Sequence, residues 1–282
     1  MIGTLAVFAL REALRRRVFV VVAVLTVGFL ALYGLGVWQA FTIVDDFGSG
    51  FAGVDPIVVT GATMFGLAMF GTLFLGVVLA VFLTLGAVRG DAERGLLQPV
   101  VVRPVTRAEV LASRLLAAGG VSAVYTVALY VGAMLITGAI GGWWPDRPLT
   151  PALGLALGVV IVAALSIAAS VFLAQVANGI AIFMAFGAGL TAGLVRQIGR
   201  AFGSDTLSTV GDIACWALPF EALYQAGLGA LTADTVGFTR FAIQLGPLGS
   251  AAPAGPELWL FALAYLAAIG FVANAAFARR DL

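Results

Sequence analysis

Five stretches of this chain run for more than about 20 residues without a charge: 18–44, 57–88, 115–145, 148–195 and 258–278. An apolar helix needs about 20 residues to cross the hydrocarbon core of a bilayer. Four of the stretches hold one crossing each. The fourth in order, 48 residues long, must hold two. Six membrane helices follow, and the composition agrees with that reading. Hydrophobic residues make up 62% of the chain and charged residues 10%, with a mean hydropathy of +1.10, far from the balance of a water-soluble domain. The expected fold class is therefore an all-α polytopic membrane protein of six transmembrane helices. The spans are placed at 18–40, 57–88, 110–137, 152–174, 178–196 and 258–278.

The turn inside the long stretch has no charge to mark it. Gln175, Asn178 and Gly179 form the only polar, turn-forming cluster near its middle, and the turn is expected there. The first span is expected to end near Trp38, whose ring suits a membrane interface. Asp45, Asp46 and Asp55 fall in a turn-rich, glycine-containing connection (45–56) and read as solvated loop carboxylates rather than a cation site. Gly141, Gly142, Trp143, Trp144 and Pro145 mark the next turn on that side.

All 15 positive charges are arginine, because the chain contains no lysine. With six spans and both termini inside, one side holds Arg11, Arg15, Arg16, Arg17, Arg89, Arg94, Arg103, Arg107, Arg114, Arg279 and Arg280. The other holds Arg147, Arg196, Arg200 and Arg240. Eleven against four satisfies the positive-inside bias, so both termini are expected in the cytoplasm and the protein in the plasma (inner) membrane. The run after Arg17 is too long for a cleavable signal. Residues 2–17 read either as a helix lying in the inner interface, with Leu5, Phe8 and Leu14 apart from Arg11, Arg15 and Arg16, or as an inward extension of the first span.

Several chemistries are missing. Histidine is absent, and with it the commonest general base and transition-metal ligand. Cys215 has no second cysteine to pair with. Ser113, Ser122, Ser166 and Ser170 lack a histidine or lysine to activate them and read as packing serines. Without lysine no Walker A loop can be built, so the chain cannot hydrolyse ATP in the usual way. No enzymatic activity, catalytic residue, metal or cofactor of its own is expected, and no nucleic-acid partner. Apart from Arg114 and Arg196 near their ends, the spans as assigned contain no charged group, against the habit of proton- or sodium-coupled carriers. Met64 and Met69 are five apart and do not stack on one face, so no copper path is drawn. Gly154 with Gly158, and Gly189 with Gly193, are expected close helix contacts.

One segment stands apart. Between Arg89 and Arg114 lie five arginines and three carboxylates, flanked on both sides by apolar runs. Gly90 suits the residue that closes the second span. Asp91 suits the N-cap of a new short helix, with Glu93 in its first turn. Pro99 ends that helix after about two turns, and Pro104 holds Arg103 extended. Thr106 and Glu109 have the spacing of a capping box that opens the third span. The expectation is a short charged helix parallel to the membrane, a rigid handle rather than a slack connector.

The run Glu93, Arg94, Gly95, Leu96, Leu97 and Gln98, followed by Arg103, Pro104, Val105, Thr106, Arg107, Ala108 and Glu109, resembles the signature of type-2 ABC exporter permeases. It is closest to the branch that includes permeases for multicopper-enzyme maturation. Pro99 departs from the family pattern, in which an ordinary helix former is usual. Leu218, Pro219, Phe220, Glu221, Ala222, Leu223 and Tyr224 are similar to that family's outer-face segment. The resemblance implies a single permease domain over 1–282, a cytoplasmic coupling helix within 91–103, and short outer-face helices within 197–257, either lying on the surface or re-entrant. It implies contacts to a cytoplasmic ABC ATPase subunit through Asp91, Glu93, Arg94, Gln98, Arg103 and Arg107. ATP and magnesium would bind that partner, and a second permease copy would complete the pathway. A non-transporting membrane scaffold or assembly factor is the alternative reading of the same six spans.

Overall fold

The computed structural model describes residues 18–47, 53–85, 107–239 and 255–279. The expected interfacial helix (2–17), the charged segment (86–106) and the irregular linker (240–254) lie outside these residues. Among the described residues the fold is all helical: α1 (Val18–Phe47), α2 (Pro56–Thr84), α3 (Arg107–Gly141), α4 (Leu149–Ser170), α5 (Gln175–Ala201), α6 (Asp205–Ala217), α7 (Phe220–Leu231) and α8 (Pro256–Ala278). Six of these, all but α6 and α7, are long and apolar enough to cross a membrane. The chain is a multi-pass membrane protein.

Local chemistry sets the helix starts. Pro56 needs no amide partner at the first position of α2. Asp55 caps that helix, its Oδ1 accepting from the amides of Ile57 (3.0 Å) and Val58 (3.3 Å). One of the three loop carboxylates is thus a cap, and its own amide donates to Thr239 Oγ1 at 2.9 Å. α1 continues to Phe47, nine residues past Trp38. Between Gly36 and Gly48 the sequence offers no glycine or proline to end it.

The turn between the fourth and fifth long helices differs from the sequence reading. It falls at 171–174, and Gln175 is already the first residue of α5. Asn178 does not face water. It is fully buried, and its Nδ2 donates to Ser166 O (3.1 Å) and Oγ (3.3 Å) on α4. The polarity that suggested a turn belongs instead to a helix–helix contact.

The bundle is built around α2 and α4, whose hydrophobic windows are 61% buried, whereas those of α1 and α8 are 11% and 17% buried. Phe65, Met69, Leu73 and Val77 of α2 meet Tyr130 of α3, Leu155, Val159 and Val162 of α4, and Phe220 of α7 in one core. Gly76 lets α2 approach Thr126 and Val159 closely, since a Cβ there would overlap both. Peripheral α1 is tied to α3 by two hydroxyl contacts, Thr26 with Tyr125 and Tyr33 with Thr137, each at 2.5 Å. The large apolar side chains it leaves exposed, such as Val24, Leu32 and Leu35, suit a lipid surroundings.

Helices α6 and α7 form a hairpin that enters the bundle instead of resting on it. The last turn of α7 meets the far end of the bundle, where Ala230 O and Leu231 O accept from the amides of Arg147 and Asp146 at 3.3 and 3.1 Å. Its first residue, Phe220, packs on Gly158 of α4 and Gly189 of α5. Gly158 lies nine residues into a 22-residue helix, about 13 Å from its end. Tyr224 of α7 donates to Gly66 O, ten residues into α2, about 15 Å along it. These depths agree, and they put the hairpin tip at Leu218 and Pro219 well inside the bundle. The start of α7 is thus packed among α2, α4 and α5 rather than across the ends of the long helices.

The expected glycine contacts are explained by the same element. Gly154 and Gly158 on α4, with Gly189 and Gly193 on α5, form the seat of α7. A Cβ at these four positions would meet, in order, Leu223 O, the Phe220 Cβ, the Phe220 ring and the Glu221 carboxylate.

Candidate functional site

Of the residues expected to contact a partner, Asp91, Glu93, Arg94, Gln98 and Arg103 lie outside the described residues. Arg107 is the first residue of α3, and its side chain is outside them too. What is described is how the two flanking helices are held. At the end of α2, Thr84 Oγ1 lies 2.7 Å from Ser166 Oγ, and Asn178 reaches the same serine. All three residues are buried. This polar knot joins α2, α4 and α5 one residue before the chain leaves α2. Gly179 permits the approach of Leu85, whose Cδ2 a Cβ there would crowd. Asn178 Oδ1 has no hydrogen-bond partner among the described residues. A displacement of the segment after α2 would therefore be passed to α4 and α5 directly, through packed and hydrogen-bonded groups.

The second site is on the hairpin tip, inside the bundle. Glu221 is 3% exposed. Its Oε1 accepts from Gln225 Nε2 at 2.8 Å, one helical turn along α7. Its Oε2 has no hydrogen-bond partner among the described residues. The carboxyl lies against α5 at Gly193, a position that only a residue without a side chain can fill beside it. Burial pushes the Glu221 carboxyl up to about 7, against the opposing pull of the Gln225 amide and the Arg196 guanidinium. Near neutrality it therefore exists in both protonation states, and a proton is the default occupant below that.

Arg196 sits one turn beyond Gly193 on α5 and faces Asp212 of α6 at 3.9 Å. Its Cα and Cβ pack directly on Gly211, which brings α5 and α6 close enough for that pair. Arg196 and Asp212 line a cavity of about 310 Å³ with Cys215, Trp216 and Phe261. The Trp216 and Phe261 rings meet edge to face at 4.5 Å, and Tyr265 on α8 donates to Ala217 O at 2.6 Å. The hairpin tip is thus fastened to α8 as well as to α4 and α5.

In the sequence Glu221 enters only as one residue of the run 218–224 that resembles an outer-face segment, and it carries no role of its own there. A signal exists nonetheless. It is the one charged residue between Asp212 and Asp234, and its neighbours Phe220, Leu223 and Leu228 are core residues. A carboxylate inside a membrane is rare and marks a functional site, so one standing alone in an apolar run of that length is a candidate for such a place.

Comparison with protein-family models and with curated proteins finds no match to this chain.

Proposed function

We propose that the protein is the permease subunit of an ATP-driven ABC-type exporter, working with a cytoplasmic ABC ATPase subunit and a second permease copy in the plasma membrane, both termini cytoplasmic. The observation that carries the reading is the sequence of the segment from Arg89 to Arg114, whose charges, cap-type residues and prolines are those expected of a rigid handle, in a chain that has no lysine for a Walker A loop of its own. Two structural features support it. The helices that flank the segment, α2 and α3, are packed on each other and on α4, and the buried Thr84, Ser166 and Asn178 knot would make a push on the segment a push on the bundle. The α6–α7 hairpin, in turn, occupies the far end, where an alternating-access cycle needs a movable closure.

In this mechanism ATP closes the paired ATPase subunits, and Glu93 and Arg94, with Asp91, Gln98, Arg103 and Arg107 around them, transmit the motion. Magnesium and ATP stay on the partner. The cargo path runs between the two permease copies, over faces rich in Phe and small side chains, which suit a hydrophobic or amphipathic cargo.

The test is co-purification from mild detergent, comparing the wild-type chain with the double reversal Glu93→Arg/Arg94→Glu. An ATP-hydrolysing subunit should accompany the wild type and be lost from the folded variant. A folded wild-type chain that brings down no ATPase overturns the reading in favour of a membrane scaffold.

A further inference from the structure

Arg196 is a guanidinium with no hydrogen bond to hold it. Its side chain is 16% exposed, and the Asp212 carboxylate faces it at 3.9 Å, well past the roughly 2.9 Å of a hydrogen bond. Glu221 lies one turn back, against Gly193, where it gives Oε1 to Gln225 and makes no bond through Oε2. Among the described residues no acceptor therefore reaches the N–H groups of Arg196. Donors drawn this far out of water without an acceptor are costly, and an added anionic oxygen relieves them.

These donors open on a cavity of about 310 Å³ between the hairpin and α8. Arg196 and Asp212 are its charged groups, and Trp216, Pro219, Leu258 and Phe261 are its apolar walls. A few polar groups set in an apolar wall are the pattern of a ligand site rather than of a packing defect. Its level is that of a membrane surface. Arg196 ends the membrane-length apolar window of α5 (Gln175–Arg196). Leu258 and Phe261 fall in the first two turns of α8, where headgroups give way to acyl chains. Ile213 and Trp216 on α6 and Leu260 on α8 are each more than half exposed, a flank suited to hydrocarbon.

Charges and walls together choose the occupant. A cation meets the guanidinium, and a bare inorganic anion leaves the rings without a partner. Asp212, which has a further partner of its own, adds a negative charge to the lining and so opposes a ligand that carries two. What fits is a singly charged phosphate ester with an apolar body, and a guanidinium fork matches phosphate oxygens in pairs.

We propose that this cavity is a binding site for one membrane phospholipid, its phosphodiester on Arg196 and its acyl chains running out past Trp216 and Leu260. The bound lipid straps the hairpin to α8, beside the direct contacts of Trp216 with Phe261 and of Tyr265 with Ala217. The site does not rest on the permease reading and can be tested without an ATPase.

The experiment uses the purified full chain in mild detergent. Native mass spectrometry follows the uptake of dioleoylphosphatidylcholine and, separately, of dioleoylglycerol, which has the same chains and no phosphate. Wild type should hold one phosphatidylcholine at least about tenfold more tightly than dioleoylglycerol, the scale of one charge-assisted hydrogen bond or more. Arg196→Gln should lose that tight molecule, and Arg196→Lys, which keeps the charge without the fork, should keep part of it. A phosphatidylcholine with a diazirine in its acyl chain should label the α6 and α8 peptides that contain Trp216 and Phe261, in wild type and not in Arg196→Gln. Glycerophosphocholine, the same phosphodiester without chains, should not displace the lipid even in large excess. Equal retention by wild type and Arg196→Gln overturns the proposal, as does equal wild-type affinity for dioleoylglycerol or labelling confined to other helices. Displacement by glycerophosphocholine also overturns it, by assigning the cavity to a water-soluble phosphate ester. Should Arg196→Gln fail to fold, the wild-type preference and the labelled peptides decide the matter alone. Absence of a co-purifying ATPase with this lipid site intact would remove the permease reading and leave the site standing.

Discussion

The stability of the protein should fall as pH rises, and Glu221 should be the cause. In the folded chain its carboxyl is lifted from 4.5 to about 7 by burial. The folded state therefore holds a proton that the unfolded chain has already released over that interval. Where the folded state binds more protons, stability decreases with pH. The contribution is fully present below about pH 4.5, declines by about 1.4 kcal/mol per pH unit, and is gone just above pH 7. The whole change amounts to about 3 kcal/mol. The assay is reversible unfolding in mixed detergent micelles, followed by circular dichroism from pH 4.5 to pH 8, on wild type and on Glu221→Gln. The glutamine keeps a hydrogen-bonding partner for Gln225 and cannot ionise, so its curve should be flat where the wild-type curve descends, and it should be the more stable protein at pH 8. Parallel curves for the two proteins would refute the reasoning. They would mean that water reaches the carboxyl and that the hairpin tip is wet.

Other changes should be read in the same way. Phe220→Ala removes the ring that sits between Gly158 and Gly189, and should cost about 3 to 5 kcal/mol in the same unfolding assay. Gly189→Leu should destabilise by about 1 to 3 kcal/mol or displace the hairpin, seen as new reactivity of the buried Cys215 towards a maleimide. Asn178→Ala strips Ser166 of its amide donor and should cost about 1 to 3 kcal/mol, whereas a turn residue in water would cost almost nothing. The depth of the hairpin can be read from Trp216 in a variant that retains it as its sole tryptophan. Lipids brominated along the acyl chain should quench it more strongly than lipids brominated near the headgroup, and the reverse order would place α6 on the membrane surface.

The six crossings were legible because charge is so costly in hydrocarbon that its absence over 18–44 or 258–278 leaves few alternatives. Polarity without charge was the weaker guide. Gln175, Asn178 and Gly179 look like a turn in one dimension, and the distinction between an asparagine facing water and one facing Ser166 exists only once α4 and α5 are packed. The glycine pairs illustrate the same limit. Their spacing announced close contacts, but the element they accommodate is a 12-residue helix far along the chain, too short to be read as part of the membrane bundle. Glu221 was hidden for a related reason. Its hydrogen-bond partner Gln225 is on the same helix, but what buries the carboxyl is Gly193 of α5, a contact that exists only once α5 and α7 are packed.

The glycine seat also dictates an order of assembly. The two halves of the groove that receives α7 lie on α4 and α5, both of which are synthesised before the hairpin and must already be side by side for the groove to exist. The hairpin is therefore a late arrival, docking into a preformed frame and closing on it through Phe220 at one end and the Asp146 and Arg147 amides at the other. What enters last, held by contacts along a helix of three turns, is also what can leave first. Partial opening of this protein should begin with α6 and α7 withdrawing together while the frame of long helices stays closed. A chain stalled before residue 205 should still insert and pack its first five crossings, but with an open, glycine-lined slot where the hairpin belongs.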